Sequence, residues 1–190
     1  MNEQTHAEQR RKILVAGIGN IFFGDDGFGV EVAQRLLARQ NPANITVVDF
    51  GIRGLDLAYT LLEDYDELIL VDAVPRGGQP GTLYLIEPNH LSAGRSEVGE
   101  SFLDAHSMDP LKVLAFARTM GARPIHTLLV GCEPVTLNTI DEDLAMGLSE
   151  PVQSMIPAAM AIIDQLIDNL SVTSNLVLPL KEAYYGYTSP

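Results

Sequence analysis

The chain has 190 residues, 46% of them hydrophobic, and a formal net charge of −13. That size suits one globular domain with a substantial core, while the acidic charge argues against nucleic acids and anionic membranes, which both need clustered lysines and arginines. The single cysteine, Cys132, excludes an intramolecular disulfide and any multi-thiolate metal site.

Residues 1–12 lack an apolar segment long enough for a signal peptide, and no window approaches the ~20 apolar residues of a membrane span. We therefore expect a cytoplasmic protein without a membrane partner. The patterns predict one domain over residues 12–170. The tails, 1–11 and 171–190, lack clear periodicity and are expected to be flexible.

Strand and helix patterns alternate along the chain. In order, they predict a strand at 13–16, a helix with Val30, Ala33, Leu36 and Leu37 on one face, a strand at 45–48, a helix at 55–62, a strand at 68–71, an edge strand at 82–86, an irregular loop at 89–104, a helix from Asp109-Pro110 to Gly121, a strand at 125–130 and a helix at about 151–170. Pro157 either kinks the last helix or marks its true start. The alternation predicts an α/β fold, a single three-layer domain whose twisted, mostly parallel five-stranded sheet has helices on both faces.

The first strand leads into a glycine-rich turn, GIGNIFFGDDGFG at residues 17–29. Such turns often bind phosphate, and a dinucleotide fingerprint has glycine at the first, third and sixth positions. Here Phe22 occupies the sixth position, no Walker-type lysine follows, and Asp25 and Asp26 would repel a phosphate. We therefore expect no nucleotide cofactor.

The two adjacent aspartates are expected to have different roles. A carboxylate at a helix N-terminus accepts hydrogen bonds from free N–H groups and interacts favourably with the helix dipole. One aspartate is enough for that, and Asp25 is predicted to start the helix. Asp26 then remains available, ionised, as a ligand for a metal ion.

Asp26, Asp49 and Asp72 stand at the ends of the first three predicted strands. One such aspartate is usually a turn former, but strand ends of a parallel sheet face one crevice, about 5 Å apart. His106, shortly before the helix that begins at Asp109, can project toward the same edge. Two carboxylates and an imidazole suit Ni²⁺ or Zn²⁺, although the spacing alone does not establish a site.

His126 and Cys132 are two further candidates for functional residues. His126 lies within a predicted strand and is expected to be a hydrogen-bonded core residue rather than a ligand. Cys132 and Glu133, in VGCEP, fall at another strand end. No base stands beside Cys132, so a small buried hydrophobe is expected there. The chain also lacks the GxSxG motif of serine hydrolases.

Six ordered segments resemble those of the NiFe-hydrogenase maturation endopeptidases, which remove the C-terminal extension of a hydrogenase large subunit. They are KILVAGIGNIFFGDDGFGVEVAQRL (12–36), VVDFGIRGLDL (47–57), LILVDAV (68–74), PGTLYLI (80–86), DAHSMDPLKVL (104–114) and LLVGCEP (128–134). The resemblance covers roughly residues 12–170 and leaves only the tails unmatched.

The resemblance implies that Asp26, Asp72 and His106 form the metal site. Relatives often have glutamate at the first of these positions, and aspartate is one methylene shorter. Asp49 matches an acidic position that lines the cleft. Ile52 stands where relatives commonly have threonine, so this chain lacks a hydroxyl there.

The implied activity is endopeptidase cleavage of a large-subunit precursor after nickel insertion. Nickel carried by that substrate is the recognition signal, and the three ligands complete its coordination. The metal either only positions the substrate or also activates the attacking water. Alternatively, a carboxylate, Asp26 or Asp49, acts as general base. Two alternatives remain, a nickel-binding chaperone with the same ligands and a nucleotide-binding α/β enzyme. The protein is expected to be a monomer.

Overall fold

A computed structural model of the chain describes residues 10–87, 109–135 and 147–172. The strands are β1 (Ile13–Ile18), β2 (Ile45–Gly51), β3 (Glu67–Ala73), β4 (Leu83–Ile86) and β5 (His126–Cys132). A 3₁₀-helix (Gly24–Gly27) precedes α1 (Phe28–Leu37), followed by α2 (Gly54–Thr60), α3 (Pro110–Thr119), α4 (Glu150–Ser154) and α5 (Ile156–Val172).

The five strands form one sheet in the order β2-β1-β3-β5-β4. All neighbouring pairs are parallel except β4–β5, which is antiparallel at the edge. The predicted mostly parallel sheet, with 82–86 as its edge strand, is therefore confirmed. Because β1 lies between β2 and β3, their carboxyl ends meet at one edge of the sheet.

Helices cover both faces of the sheet, as predicted. Alternate residues of β1 enter different cores, because successive side chains of a strand point to opposite faces. Ile13 and Val15 pack with α1 and α5 residues, whereas Leu14 and Ala16 pack with residues of α2 and α3. All six residues of β1 are buried, as expected for a central strand covered on both sides.

The helix boundaries follow from their capping residues. The Asp109 side chain accepts a hydrogen bond from the Leu111 N–H at 2.9 Å, and Pro110 opens α3, which confirms the predicted start. The predicted helix at 151–170 is two helices that meet at Met155. Pro157 is the second residue of α5, so it marks a start and does not kink a helix interior.

Some local predictions differ from the structure. Leu37 is 50% exposed and does not belong to the buried face of α1, because it lies about 100° around the helix from Leu36. Both β2 and β3 extend beyond their predicted ends. Asp49 and Asp72 therefore lie within the final residues of these strands and not after them. The predicted loop at 89–104 lies outside the described residues, as do tail residues 1–9 and 173–190.

None of the helices within the described ranges is long and apolar enough to cross a membrane.

His126 is hydrogen-bonded, as predicted, but it is not a core residue, since its side chain is 40% exposed. It begins β5 beside Glu67, the first residue of β3, at the edge of the sheet opposite to Asp49 and Asp72. Its Nδ1 bonds to the buried Glu67 carboxylate, which also pairs with Arg11, and its Nε2 lies 3.2 Å from Glu87. Because His126 is the first residue of β5, one side of its imidazole ring is open to solvent.

The contact between His126 and Glu67 predicts that the free energy of unfolding depends on pH. The hydrogen bond to Glu67 raises the pKa of His126, more than burial lowers it, and the carboxylate charges add to the effect. The folded state therefore keeps a proton that the unfolded chain releases above about pH 6.5. Stabilisation by His126 is complete below that pH and is lost as the pH rises through the folded-state pKa. We expect His126→Gln to cost up to about 1 kcal/mol near pH 6 and less near pH 9, as urea unfolding would show. An equal cost at both pH values would contradict this origin.

Candidate active site at the carboxyl edge of the sheet

The glycines of the turn after β1 allow close packing of the chain. Gly19 has φ +126°, and a Cβ there would lie 1.9 Å from the backbone oxygen of Asp26. A Cβ on Gly29 would lie 2.0 Å from the backbone oxygen of Val71 in β3. The glycine pattern thus brings the turn that carries Asp26 against the strand that carries Asp72.

Asp26 and Asp72 form an interacting carboxylate pair at this edge. Asp26 is exposed, and its Oδ2 accepts the Asn20 N–H at 2.7 Å. Asp72 is half-buried, and its Oδ1 accepts the Ala73 N–H at 2.8 Å. Burial and then the negative charge of Asp26 raise the pKa of Asp72 well above its ordinary value. A cation between the two carboxylates would relieve this repulsion.

Asp49 reaches the same edge from the other side of β1. Gly17 of β1 pairs with Asp49 on one side and with Val71, the residue before Asp72, on the other. The Oδ2 atom of Asp49 accepts a hydrogen bond from Gln34 Nε2 at 3.2 Å, and the backbone oxygen of Asp49 accepts one from Arg53. The half-buried Asp49 carboxylate therefore has a defined orientation.

A pocket of about 270 Å³ lies beside Asp49. Asn20, whose N–H binds Asp26, also lines it, so the pocket adjoins the carboxylate pair. Three apolar side chains of its lining are about half exposed, namely Ile21, Phe22 and Ile52. The charged residues of the lining, Asp49 and Arg53, have opposite signs. An open groove with an apolar rim and little net charge suits a peptide better than a highly charged ligand.

Asp25 does not cap a helix, which corrects the sequence prediction. Neither the 3₁₀-helix nor α1 has a side-chain hydrogen bond at its N-terminus. Asp25 is only 7% exposed and points inward, where its carboxylate accepts hydrogen bonds from Val135 N–H (2.9 Å), Ser149 N–H (2.7 Å) and Ser149 Oγ (2.8 Å). The Asp25 carboxylate is therefore bound by backbone donors from the segments after β5 and before α4, and not by the free N–H groups of a helix N-terminus.

Glu133 is a second buried carboxylate at this edge, 1% exposed. It accepts hydrogen bonds from the Tyr84 hydroxyl (2.5 Å) and from the backbone N–H groups of Arg76 (2.9 Å) and Gly77 (3.0 Å). Burial alone would raise the pKa of Glu133, but the bonds from Tyr84 and from the backbone of residues 76–78 lower it below its ordinary value. The sequence placed Glu133 at a strand end but offered no signal of these partners.

Cys132 is fully buried, as predicted. Burial, followed by the charges of Asp25 and Glu133, raises the pKa of its thiol to about 12. The thiol therefore stays protonated near neutral pH and is a poor nucleophile.

The structure brings together two of the three predicted metal ligands, Asp26 and Asp72. The third, His106, lies outside the described residues. Within the described ranges, no three His, Cys, Asp or Glu side chains are grouped so that they would hold a metal ion. The metal-ligand set therefore stays a prediction, whereas the convergence of the two carboxylates is a feature of the fold.

The sequence matches proteins of hydrogenase maturation. A family model described as hydrogenase maturation protease matches residues 30–166. The hydrogenase expression/formation protein HupD of Bradyrhizobium diazoefficiens is 34% identical over 179 residues, covering 93% of this chain and 89% of the relative. A putative hydrogenase maturation protease of Methanocaldococcus jannaschii is 33% identical over 156 residues, covering 82% of this chain and 96% of the relative.

Solved structures lead to the same family. The hydrogenase maturating endopeptidase HybD from E. coli superposes with a TM-score of 0.64 at 26% identity, covering 83% of this chain and 93% of the other. The hydrogenase 2 maturation peptidase from a Thaumarchaeota archaeon gives a TM-score of 0.60 at 31% identity, covering 83% and 99%. By family model, sequence identity and fold, this chain belongs to the hydrogenase maturation proteases and is a hydrolase of the endopeptidase type.

Proposed function

We propose that this protein removes the C-terminal extension of a NiFe-hydrogenase large-subunit precursor, and that nickel already held by the precursor is the recognition signal. The observation that carries the proposal is the pair Asp26 and Asp72. Two carboxylates that repel each other, one of them exposed, stand at an open sheet edge beside a groove suited to a peptide. A cation delivered by the substrate would relieve that repulsion, whereas a metal-free substrate would not.

In this proposal, the nickel is part of the substrate, and the enzyme contributes the remaining ligands. Carboxylate oxygens from Asp26 and Asp72 and an imidazole from His106 form a mixed set that suits Ni²⁺. The raised pKa of Asp72 means that cation binding competes with its proton, so recognition strengthens as the pH rises. Binding at this point brings the peptide that follows the nickel site over the groove beside Asp49.

Hydrolysis then requires a water molecule and a base. Since Asp26 is engaged with the metal in this arrangement, we assign the base to Asp49, which Gln34 orients in the pocket wall. The water oxygen adds to the carbonyl carbon of the peptide bond while Asp49 accepts a proton from that water. The C–N bond then breaks, and the departing amine takes up the proton. Nickel anchors the substrate and so supplies the proximity that the reaction needs.

The function is tested by incubating the protein with the nickel-loaded precursor and with the same precursor prepared without nickel. We expect mass spectrometry to show shortening of the loaded precursor only. An unchanged mass in both samples would overturn the processing function and favour a nickel-binding chaperone. Shortening of both would overturn nickel recognition but retain the protease.

Replacement of Asp49 tests the assignment of the base. Asp49→Asn preserves the shape of the side chain and a carbonyl acceptor for Gln34, but removes the basic oxygen. We expect kcat for processing to fall by roughly 10²- to 10⁴-fold, the usual contribution of a general base, with KM little changed. Single-turnover assays on the loaded precursor would measure the change. A variant that cleaves at the native rate would return the role to Asp26 or to the metal.

A further inference from the structure

The buried carboxylates of Asp25 and Glu133 lie behind the site and take no part in the chemistry above. We propose that they are positioning residues, which hold Asp26 and Asp72 at a constant separation through a brace that consists of residues Glu133, Pro134 and Val135. The proposal rests on the proposed function, since it assigns these residues a role in that reaction.

One end of the brace binds the loop that follows β3. The Glu133 carboxylate accepts the N–H groups of Arg76 and Gly77, which stand just beyond Asp72 in the chain. Backbone bonds reinforce the attachment, with Val74 N–H donating to Cys132 at 2.8 Å and Glu133 N–H donating to Thr82 at 2.8 Å. The loop that leaves Asp72 therefore cannot shift without breaking bonds to Glu133.

The other end of the brace binds the turn that follows β1. Val135 N–H donates to the carboxylate of Asp25, the residue immediately before Asp26. The start of α4 joins the same carboxylate through Ser149. A continuous run of three residues thus connects the backbone next to Asp26 with the backbone just beyond Asp72.

Such a connection is needed because the two site carboxylates carry the same charge. Their repulsion favours separation of the two loops whenever no cation lies between them. Carboxylate oxygens that are already in position bind a metal ion without a further entropic cost of ordering the two loops. The brace opposes the separation in the free enzyme and so keeps the site ready for the incoming nickel.

Glu67 provides a matched control for a merely structural role. It is another buried carboxylate, 2% exposed, bonded to Arg11 and His126. It lies at the opposite edge of the sheet, where β3 and β5 begin. Loss of either carboxylate should destabilise the fold, but only loss of Glu133 should disturb the reaction.

The experiment compares Glu133→Gln with Glu67→Gln in the full chain. Both variants are expected to melt at a lower temperature. Processing of the nickel-loaded precursor is then measured well below both melting temperatures. We expect Glu133→Gln to raise the KM for the nickel-loaded precursor, so that kcat/KM falls by about 10- to 100-fold, as for groups that orient metal ligands, and Glu67→Gln to keep the native kcat/KM. Equal kcat/KM values for the two variants would overturn the proposal.

Tyr84→Phe is the milder variant should Glu133→Gln fail to fold. It keeps the ring beneath Arg76 and removes only the hydroxyl that donates to Glu133. We expect a several-fold fall in kcat/KM through a higher KM, and an unchanged kcat/KM would overturn the brace.

Hydrogen exchange separates failure of the brace from failure of the proposed function. We expect Glu133→Gln, or Tyr84→Phe in its place, to accelerate exchange in residues 24–27 as well as in residues 76–77, and Glu67→Gln to accelerate neither. That result would support the brace even if the native protein left every precursor uncut. Acceleration confined to residues 76–77 would overturn it, whatever the activity.

Discussion

The substitution Asp72→Asn is expected to lower processing of the nickel-loaded precursor by at least about 100-fold. Even groups that only orient metal ligands cost 10- to 100-fold when lost, so removal of a ligand charge should cost no less. The asparagine oxygen can still accept the Ala73 N–H that Asp72 binds at 2.8 Å. The variant therefore tests the charge and not the fold, with precursor shortening followed by mass spectrometry over time.

The same substitution should leave the protein as stable as the native chain, or more so. The raised pKa of Asp72 means that the folded state binds its proton more tightly than the unfolded chain does. Above the ordinary aspartate pKa, stability therefore falls as the pH rises through the folded-state pKa. A neutral asparagine avoids that cost, so its melting temperature at pH 7 should equal or exceed the native value. A stable variant with native activity would remove Asp72 from the site.

Asp26→Asn and His106→Ala should abolish processing to a similar extent, because the proposal makes both side chains ligands of the substrate nickel. Asp26 is exposed, so its replacement should cost little stability. His126→Ala is the control for the histidine, since His126 lies at the far edge of the sheet and should affect stability alone. Native processing by His106→Ala would show that the assigned ligand set is wrong.

The largest effect on stability is expected from Gly29→Ala. A Cβ at position 29 would lie 2.0 Å from the backbone oxygen of Val71 and 2.4 Å from that of Ile18. Neither atom belongs to a flexible side chain, so α1 would have to move away from β1 and β3. We expect a loss of about 3 kcal/mol or more in urea unfolding, at the upper end of overpacking effects.

Gly27→Ala is the matched control two residues earlier. The nearest atom to a Cβ there is Ile21 Cα at 3.2 Å, which a small shift can accommodate. Its cost should stay near or below about 1 kcal/mol. Equal costs for the two variants would mean that close packing of α1 on the sheet does not explain Gly29.

The architecture of the protein was predictable because its signals are local. Apolar runs separated by helical periodicity identify a parallel sheet covered on both faces, and Asp109-Pro110 identifies the start of α3. The boundaries were less predictable, because pairing with a neighbouring strand carries β2 through Asp49 to Gly51. Pro157 marks the break near Met155, but a proline alone does not distinguish a kinked helix from the start of a new one.

The candidate site was predictable to the extent that it depends on topology. Asp26, Asp49 and Asp72 follow from the rule that strand ends of a parallel sheet share one edge, and the structure places them there. The family likewise follows from ordered motifs that the comparisons confirm. The roles of nickel, of His106 and of the base stay predictions that the experiments above address.

The fold class, the family and the edge at which the acidic residues gather follow from the amino-acid sequence alone, since they depend on periodicity, motif order and strand direction. Which of the two adjacent aspartates faces solvent depends instead on contacts between segments that are far apart in the chain. Asp25 turns inward because its hydrogen-bond donors, Val135 and Ser149, come from 110 and 124 residues away. Rules for helix capping consider only neighbouring residues and therefore place Asp25 at a helix end. In the structure its carboxylate instead joins three segments that are distant in the chain.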